Sequence, residues 1–135
     1  MELEKSLTIS AAGMQAQTTR LTVIAQNLAN QDSTGSTPGA DPYQRKTVSF
    51  ADKMDHELGA ETVAVREIGK DQTAFPRRFD PANPAADAQG YVKLPNVNAL
   101  VEMADMRDAE RSYQANVAVM QTTRGMLSRT IGMLG

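Results

Sequence analysis

The residues that could do acid–base chemistry are few and scattered. The chain has a single histidine, His56, between Asp55 and Glu57, and it has no cysteine. A histidine needs a nucleophile or an orienting partner to act as a catalytic base, and the sequence indicates neither. The lack of cysteine excludes a disulfide scaffold, a thiolate zinc site and a cysteine nucleophile. The sequence therefore predicts an exposed His56 and no catalytic centre.

Possible ligand-binding residues are equally sparse. Asp80 and Asp87 share a loop but lack the ligand density of a calcium site. Gly35 and Gly39 are not followed by the Lys-Ser/Thr pair of a phosphate-binding loop. The basic pair Arg77–Arg78 is too small to bind nucleic acid. No cofactor, metal or nucleic acid is therefore expected, and no enzymatic activity.

The bulk composition narrows the class of protein further. The net charge is −2, so no basic surface is available for nucleic acid or an anionic membrane. The apolar run Val117–Met120 is far too short to span a membrane. The start of the chain, Met1–Lys5, is not followed by the apolar segment of a cleaved secretion signal. These rules alone predict a cytoplasmic protein, unless export uses a route without a cleaved signal.

The strongest periodic signal lies at the two ends of the chain. Apolar residues recur every seven positions in both parts, with a weaker companion row beside each. A seven-residue apolar repeat favours the seam of a left-handed coiled coil. The residues predicted to form helix seams and to support assembly are Leu7, Met14, Leu21, Ile24, Leu28, Met106, Tyr113, Val117, Met120, Leu127 and Leu134.

These repeats predict long helices over residues 3–30 and 97–133, pairing as an antiparallel coiled coil. Pro95 marks the boundary before the second helix, and Asn96 or Asn98 is its expected N-cap. The predicted fold class is mainly α with a small β-rich insertion.

The middle of the chain has a different pattern. Alternating residues predict strands over 43–51 and 62–69, and the proline-flanked stretches 75–79 and 91–94 are predicted as edge or extended segments. The chain is therefore expected to divide into an N-terminal helix, a β-rich or irregular insertion and a C-terminal helix, over residues 1–30, 31–95 and 96–135.

The outer faces of both predicted helices carry few charges. Arg20 is the only charged residue between positions 6 and 30, and only Arg124 and Arg129 follow Arg111 in the C-terminal part. Uncharged polar side chains cost less to bury than charges do. Most helical stability comes from packing. The pattern therefore predicts helices surrounded by other helices, which become fully helical only in an assembly.

Three segments resemble the flagellar rod and hook family of axial proteins. The first runs from GMQAQ at 13–17 to NLAN at 27–30, and the second is PYQRK at 42–46. The third, over 80–117, is similar to the FlgC-type proximal-rod branch and contains GYV, PNVN, EMADM and RSYQANV. The matching positions taken as motif residues are Asn27, Asn30, Tyr43, Gly90, Tyr91, Pro95, Asn96 and Asn116.

The resemblance implies a structural subunit rather than an enzyme. Family members are exported by the flagellar type III apparatus without a cleaved signal. They assemble in the periplasm with themselves and other rod proteins into the rod that links the membrane ring to the distal rod and hook. Their terminal helices form the inner layer of that tube, and the expected function is torque transmission.

Two other classes compete with this interpretation. A helical adaptor or secreted binding module could use the same heptads on one partner at low stoichiometry, whereas a rod subunit assembles with several related proteins. An enzyme would need a pocket with convergent polar groups, and the sequence offers no residues to line one.

Overall fold

Two long helices flank a small β-rich insertion along the chain in the computed structural model, which describes residues 2–135. The elements in chain order are α1 (Glu2–Ala29), β1 (Lys46–Asp55), β2 (Ala60–Lys70), β3 (Arg77–Phe79), β4 (Tyr91–Lys93) and α2 (Ala99–Leu134). The prediction of terminal helices with a β-rich middle is confirmed. Met1, the first residue of the predicted N-terminal segment, lies outside the described residues.

Short polar side chains set the ends of the helices. Asn98 is the N-cap of α2, because its Oδ1 accepts the backbone N–H groups of Leu100 and Val101 at 3.1 and 3.4 Å. At the other end of the chain, the Nδ2 of Asn30 donates to the carbonyl of Gln26 at 2.8 Å, which satisfies an acceptor in the last turn of α1. Of the two predicted caps, only Asn98 takes that role.

The first sheet is a hairpin of β1 and β2. The four residues between the strands form a turn in which Gly59 has a φ of +66° and donates to the carbonyl of Asp55 at 2.8 Å. The Oδ1 of Asp55 also accepts the N–H groups of Glu57 and Leu58. β1 begins three residues later and ends four residues later than predicted, because the backbone N–H of Arg45 binds a side-chain amide instead of a strand. β2 begins two residues earlier and ends one residue later than predicted.

The second sheet pairs β3 with β4 in antiparallel register, with Arg78 opposite Val92 and Phe79 opposite Tyr91. The rings of Phe79 and Tyr91 meet edge to face, with their centroids 5.4 Å apart. In the connecting loop, backbone N–H groups of Tyr91 and Gln89 donate to Asp87 and hold the pKa of that carboxyl below its usual value. Asp87 is therefore occupied in shaping the turn.

Contacts divide the chain into two compact units. The first unit contains α1 up to Leu21, Val48–Glu67 of the hairpin, and Met106–Gly135 of α2. The second unit contains Thr22–Thr47 and Ile68–Asp105. The buried apolar side chains are all alanines or β-branched aliphatics, namely Ala16, Val23, Ile24, Ala85, Val92 and Ala109. None of the six aromatic residues, all within the described part of the chain, is fully buried.

Gly90 combines a left-handed backbone with a crowded surrounding, so its replacement should be costly. Its φ is +86°, and a Cβ there would lie 2.8 Å from Cε2 of Phe79 and 3.2 Å from Cβ of Pro81. Gly39 also has a positive φ, of +74°, but a Cβ there would meet nothing within 4 Å.

We expect Gly39→Ala to destabilise by about 1–2 kcal/mol, the cost of a left-handed backbone with a Cβ. We expect Gly90→Ala to cost at least about 1 kcal/mol more because of the added clash. Urea unfolding followed by circular dichroism measures both, and equal losses would show that the clash is relieved.

Candidate functional site

The helices α1 and α2 contact each other in the first unit through small and polar side chains. The hydroxyls of Ser6 and Thr123 lie 3.2 Å apart. Seven residues further along α1, Gly13 lies against Asn116, so closely that a Cβ on the glycine would be 2.8 Å from the amide Nδ2. Both contacts involve residues with little or no apolar surface.

The predicted seam residues lie beside this polar row. Ile24 is buried, and nearly all of the others are half-buried: Leu7, Met14, Leu21, Leu28, Met106, Tyr113, Val117, Met120 and Leu127. Leu134 is 86% exposed. The most buried row on α2 consists of Glu102, Ala109, Asn116 and Thr123. It lies one position before the row that contains Val117, which the sequence pattern predicted as part of the seam.

The C-terminal half of α2 leaves much of its apolar surface uncovered. Near its end, an open apolar groove is lined by Leu7 and Ala11 of α1 and by Met120, Leu127 and Ile131 of α2. Further apolar side chains are exposed along α2, namely Val119, Met126, Ile131, Met133 and Leu134. A stable monomer gains nothing from such a surface, and contiguous exposed apolar residues mark sites of interaction with other proteins.

A buried polar network organises the second unit. Its centre is Glu102, whose side chain is 0% exposed and forms a salt bridge with the Nε of Arg45. The guanidinium of Arg45 also contacts Asp71 at 3.3 Å and Asp105 at 3.6 Å. A buried carboxylate is tolerated only when it is paired and hydrogen-bonded. Arg45 is therefore the group that allows Glu102 to be buried at all.

Asn27 connects α1 to the segment that precedes β1. Its Oδ1 accepts the N–H of Lys46 and its Nδ2 donates to the carbonyl of the same residue, both at 2.9 Å. The amide thus pairs with the backbone as a neighbouring strand would. It also accepts the hydroxyl of Tyr43 at 2.7 Å and donates to Glu102 at 3.4 Å. Asn27 is 1% exposed, and all of its hydrogen-bonding capacity is used.

Asn96 has a comparable role on the other side of the same segment. Its Oδ1 accepts the N–H of Arg45 at 2.8 Å, and its Nδ2 donates to the carbonyls of Asp71 and Thr73. The backbone N–H of Asp71 in turn donates to the carbonyl of Arg45 at 2.8 Å. These bonds explain why Asn96 is not the cap of α2.

The pKa values of the network follow from these contacts. Burial and the charge of Glu102 raise the pKa of the Tyr43 phenol. Burial lowers the pKa of Arg45, but its bonds with Glu102 and Asp71 outweigh that effect and raise it overall. Hydrogen bonds from the N–H and hydroxyl of Thr73, aided by Arg45, lower the pKa of Asp71. Arg45 and Asp71 therefore hold their charges firmly, and Tyr43 stays neutral.

The described part of the chain offers few other residues that could form a catalytic, metal-binding or membrane-spanning feature. His56 is exposed on the hairpin turn. Among residues 2–135, no group of three or more His, Asp or Glu side chains is placed to hold a metal ion. No described helix is long and apolar enough to cross a membrane.

Comparison with known proteins finds a matching family model and relatives that cover nearly the whole chain. Residues 88–133 match the family described as Flagellar basal body rod FlgEFG protein C-terminal. The chain is 52% identical over 126 residues to the flagellar basal-body rod protein FlgC of Agrobacterium fabrum, covering 93% of this chain and 91% of that protein. It is 41% identical to the FlgC of Escherichia coli O6:H1, over 97% of both chains. It is 37% identical to that of Bacillus subtilis, over 93% and 94%.

The chain belongs to the FlgC family of flagellar basal-body rod proteins.

The motif residues of this FlgC-family chain have different structural surroundings. Asn27, Tyr43 and Asn96 meet in the buried network, whereas Asn116 faces Gly13 in the first unit. The remaining motif residues lie outside both contacts. Asn30 closes the last turn of α1, Gly90 and Tyr91 shape the β3–β4 loop, and Pro95 is buried ahead of α2.

Sequence reasoning did not select Arg45, Asp71 or Glu102 as site residues. Arg45 and Glu102 lie within segments that resemble the family, but nothing in their spacing distinguishes them from exposed charges. One signal was available for Glu102, which begins the seven-residue row that continues through Ala109 and Asn116. Asp71 lies in a stretch without any recognisable motif, so only the structure could reveal it.

Removing the partner of Glu102 should be strongly destabilising. Arg45→Ala leaves a fully buried carboxylate without its cation, and we expect a loss of about 3–5 kcal/mol in the free energy of unfolding. The double variant Arg45→Met, Glu102→Leu removes both charges and should lose less than Arg45→Ala alone. Arg66→Ala, on the exposed side of β2, is the matched control and should change stability by no more than about 0.5 kcal/mol. Urea unfolding tests all three, and an Arg45→Ala chain as stable as Arg66→Ala would contradict the role of the salt bridge.

Tyr43 should make stability depend on alkaline pH. Because its pKa is raised in the folded chain, its contribution is present below about pH 10, the ordinary phenol value, and is lost as the pH rises through the folded pKa. The midpoint of urea unfolding should therefore fall more steeply above about pH 10 in the parent than in Tyr43→Phe. Tyr91→Phe, on an exposed ring, should retain the steep fall. Parallel curves for the parent and Tyr43→Phe would refute this assignment.

Proposed function

We propose that this FlgC-family chain is a structural subunit of the proximal rod of the bacterial flagellar basal body, and that it transmits torque from the membrane ring to the distal rod and hook. The observation that carries the proposal is the uncovered apolar surface of α2, from Val119 to Leu134. The few charges on α1 after Lys5 and on α2 after Arg111 support it, because few ions need to be desolvated when neighbours pack against them.

The terminal helices form an antiparallel coiled coil in this proposal. From Ser6 to Gly13 the contact moves seven residues up α1, while its partner moves seven residues down α2, from Thr123 to Asn116. Within the second unit, Asn27 near the end of α1 donates to Glu102 near the start of α2, which is also an antiparallel pairing. A spacing of seven on both helices is the repeat of a coiled coil.

The three segments of the chain have separate tasks in the rod. The helices of residues 1–30 and 96–135 form the inner layer of the tube, and the insertion of residues 31–95 contacts neighbouring subunits. The exposed apolar residues Phe50, Met54 and Ile68 on the β1–β2 hairpin support this assignment. Torque is then carried by helices whose shared seams resist twisting, and the ends of the helices gain stability as neighbours cover them.

The partners follow from the same role. They are further copies of this chain, other flagellar rod proteins, and the flagellar type III export apparatus that delivers the subunit to the periplasm without a cleaved signal. The proposal assigns no catalytic activity, cofactor or nucleic-acid partner. Its support is the family membership together with the names of the relatives, which are rod proteins.

A charge placed on the uncovered surface tests the proposal without disturbing the monomer. Ile131 is 61% exposed, so Ile131→Asp should leave the circular dichroism and unfolding of the isolated chain unchanged. In a strain that depends on this chain, the variant should prevent rod assembly, because an unpaired carboxylate in a helix interface costs several kcal/mol. Isolated basal bodies and swimming on soft agar are the measurements.

The matched control is Thr130→Asp, which adds the same charge at the adjacent exposed polar position. It should assemble better than Ile131→Asp. Normal rods and normal swimming with Ile131→Asp would refute the proposed use of this surface. Leu21→Asp and Leu127→Asp extend the test to the half-buried seam, where both assembly and folding should suffer.

A further inference from the structure

Gly13 and Asn116 form a complementary pair in the first unit. The amide of Asn116 occupies the space that a side chain at position 13 would need: a built Cβ would lie 2.8 Å from Nδ2, 3.0 Å from Oδ1 and 3.1 Å from Cγ. The amide is fixed in place by its own helix, since Nδ2 donates to the carbonyl of Ser112 at 3.0 Å. Glycine is unfavourable inside a helix by about 1 kcal/mol, so this position carries a local cost.

The apolar rows cannot by themselves fix how α1 and α2 are aligned. Leucine or methionine recurs every seven residues on α1, and leucine, methionine or tyrosine does so on α2. Sliding one helix past the other by seven residues, about 10 Å, again places apolar side chains opposite apolar side chains. The hydrophobic energies of the native and slipped alignments are therefore similar, and another contact must distinguish them.

The residues at positions 6, 13 and 20 of α1 make that distinction through the size of their side chains. A slip of seven residues in one direction would place Asn116 opposite Ser6, and in the other direction opposite Arg20. Both of these residues have a Cβ in the space that Asn116 needs. The same slips would place Ala109 or Thr123 opposite Gly13. Only the native alignment places the residue without a side chain opposite the asparagine.

We propose that Gly13 and Asn116 specify the register of α1 against α2 within the first unit, while the buried bond of Asn27 with Glu102 restricts it within the second. The inference rests on the antiparallel pairing proposed above and deepens it. A single polar residue in a coiled-coil seam fixes register while lowering stability, and a glycine facing it adds a steric filter. Asn116 is in this sense a positioning residue, whose effect is on alignment rather than on the amount of apolar surface buried.

Disulfide trapping in the full chain tests this inference directly, because the chain contains no cysteine of its own. The pair Ser6→Cys, Thr123→Cys reports the native register, since the two hydroxyls lie 3.2 Å apart. The pair Ser6→Cys, Thr130→Cys reports a slip of seven residues. The measurement is the ratio of native to slipped disulfide after mild oxidation of the monomer, read by intact mass on reduced and unreduced samples.

In the parent background the ratio should exceed about ten. Adding Asn116→Ala should lower it by about tenfold, and adding Gly13→Ala, which also improves helix propensity, should lower it similarly. Gln114→Ala, an exposed change on the same helix, is the control and should leave the ratio unchanged. A purely structural role for Asn116 would reduce stability without moving the ratio.

The outcomes separate the two proposals. An unchanged ratio in both Asn116→Ala and Gly13→Ala would overturn the register assignment and leave the antiparallel pairing intact. If the native pair fails to crosslink in the parent background, the antiparallel pairing itself fails, and the register assignment fails with it. Rod assembly, tested through Ile131→Asp, does not depend on either result.

Discussion

The buried carboxylate of Glu102 is the constraint around which the second unit is organised. A charge with no solvent exposure must have its partners in place when the chain folds. Those partners come from separate segments: Arg45 before β1, and Asn27 near the end of α1. Asp71 and Asn96 then bind Arg45 in turn. The loops of this unit are therefore held by a specific set of polar bonds, although its apolar core is small.

The network also explains how a chain with few aromatic residues keeps irregular segments in place. Residues 43–45 precede β1, and side-chain amides satisfy part of the backbone there. Asn96 accepts the N–H of Arg45, and Asn27 pairs with both backbone groups of Lys46. Two asparagines thus provide what a neighbouring strand would provide. Such bonds depend on geometry and leave few alternatives, which suits a segment that must have one defined shape.

The first unit has the opposite character. Its helices meet through small and polar residues, and the apolar side chains lie beside that contact, half-buried or exposed. Much apolar surface stays exposed in the single chain, since a groove and the last turns of α2 remain uncovered. Burying that surface would be favourable. This uncovered apolar surface is the observation on which the proposed packing against neighbouring subunits rests.

The sequence alone determined the two helices, the β-rich middle and the family. Seven-residue repeats and proline boundaries are local signals, and they predicted the ends of α1 and α2 to within two residues. The sequence also indicated Asn27, Tyr43 and Asn96 through its resemblance to the family, but it did not indicate the roles of these residues. Only the tertiary structure decided that Glu102 is buried, that Arg45 and Asp71 serve it, and that the row containing Asn116 is the covered one. The physical reason is that burial of a polar residue depends on partners far away in the chain, and no local period records where those partners will be.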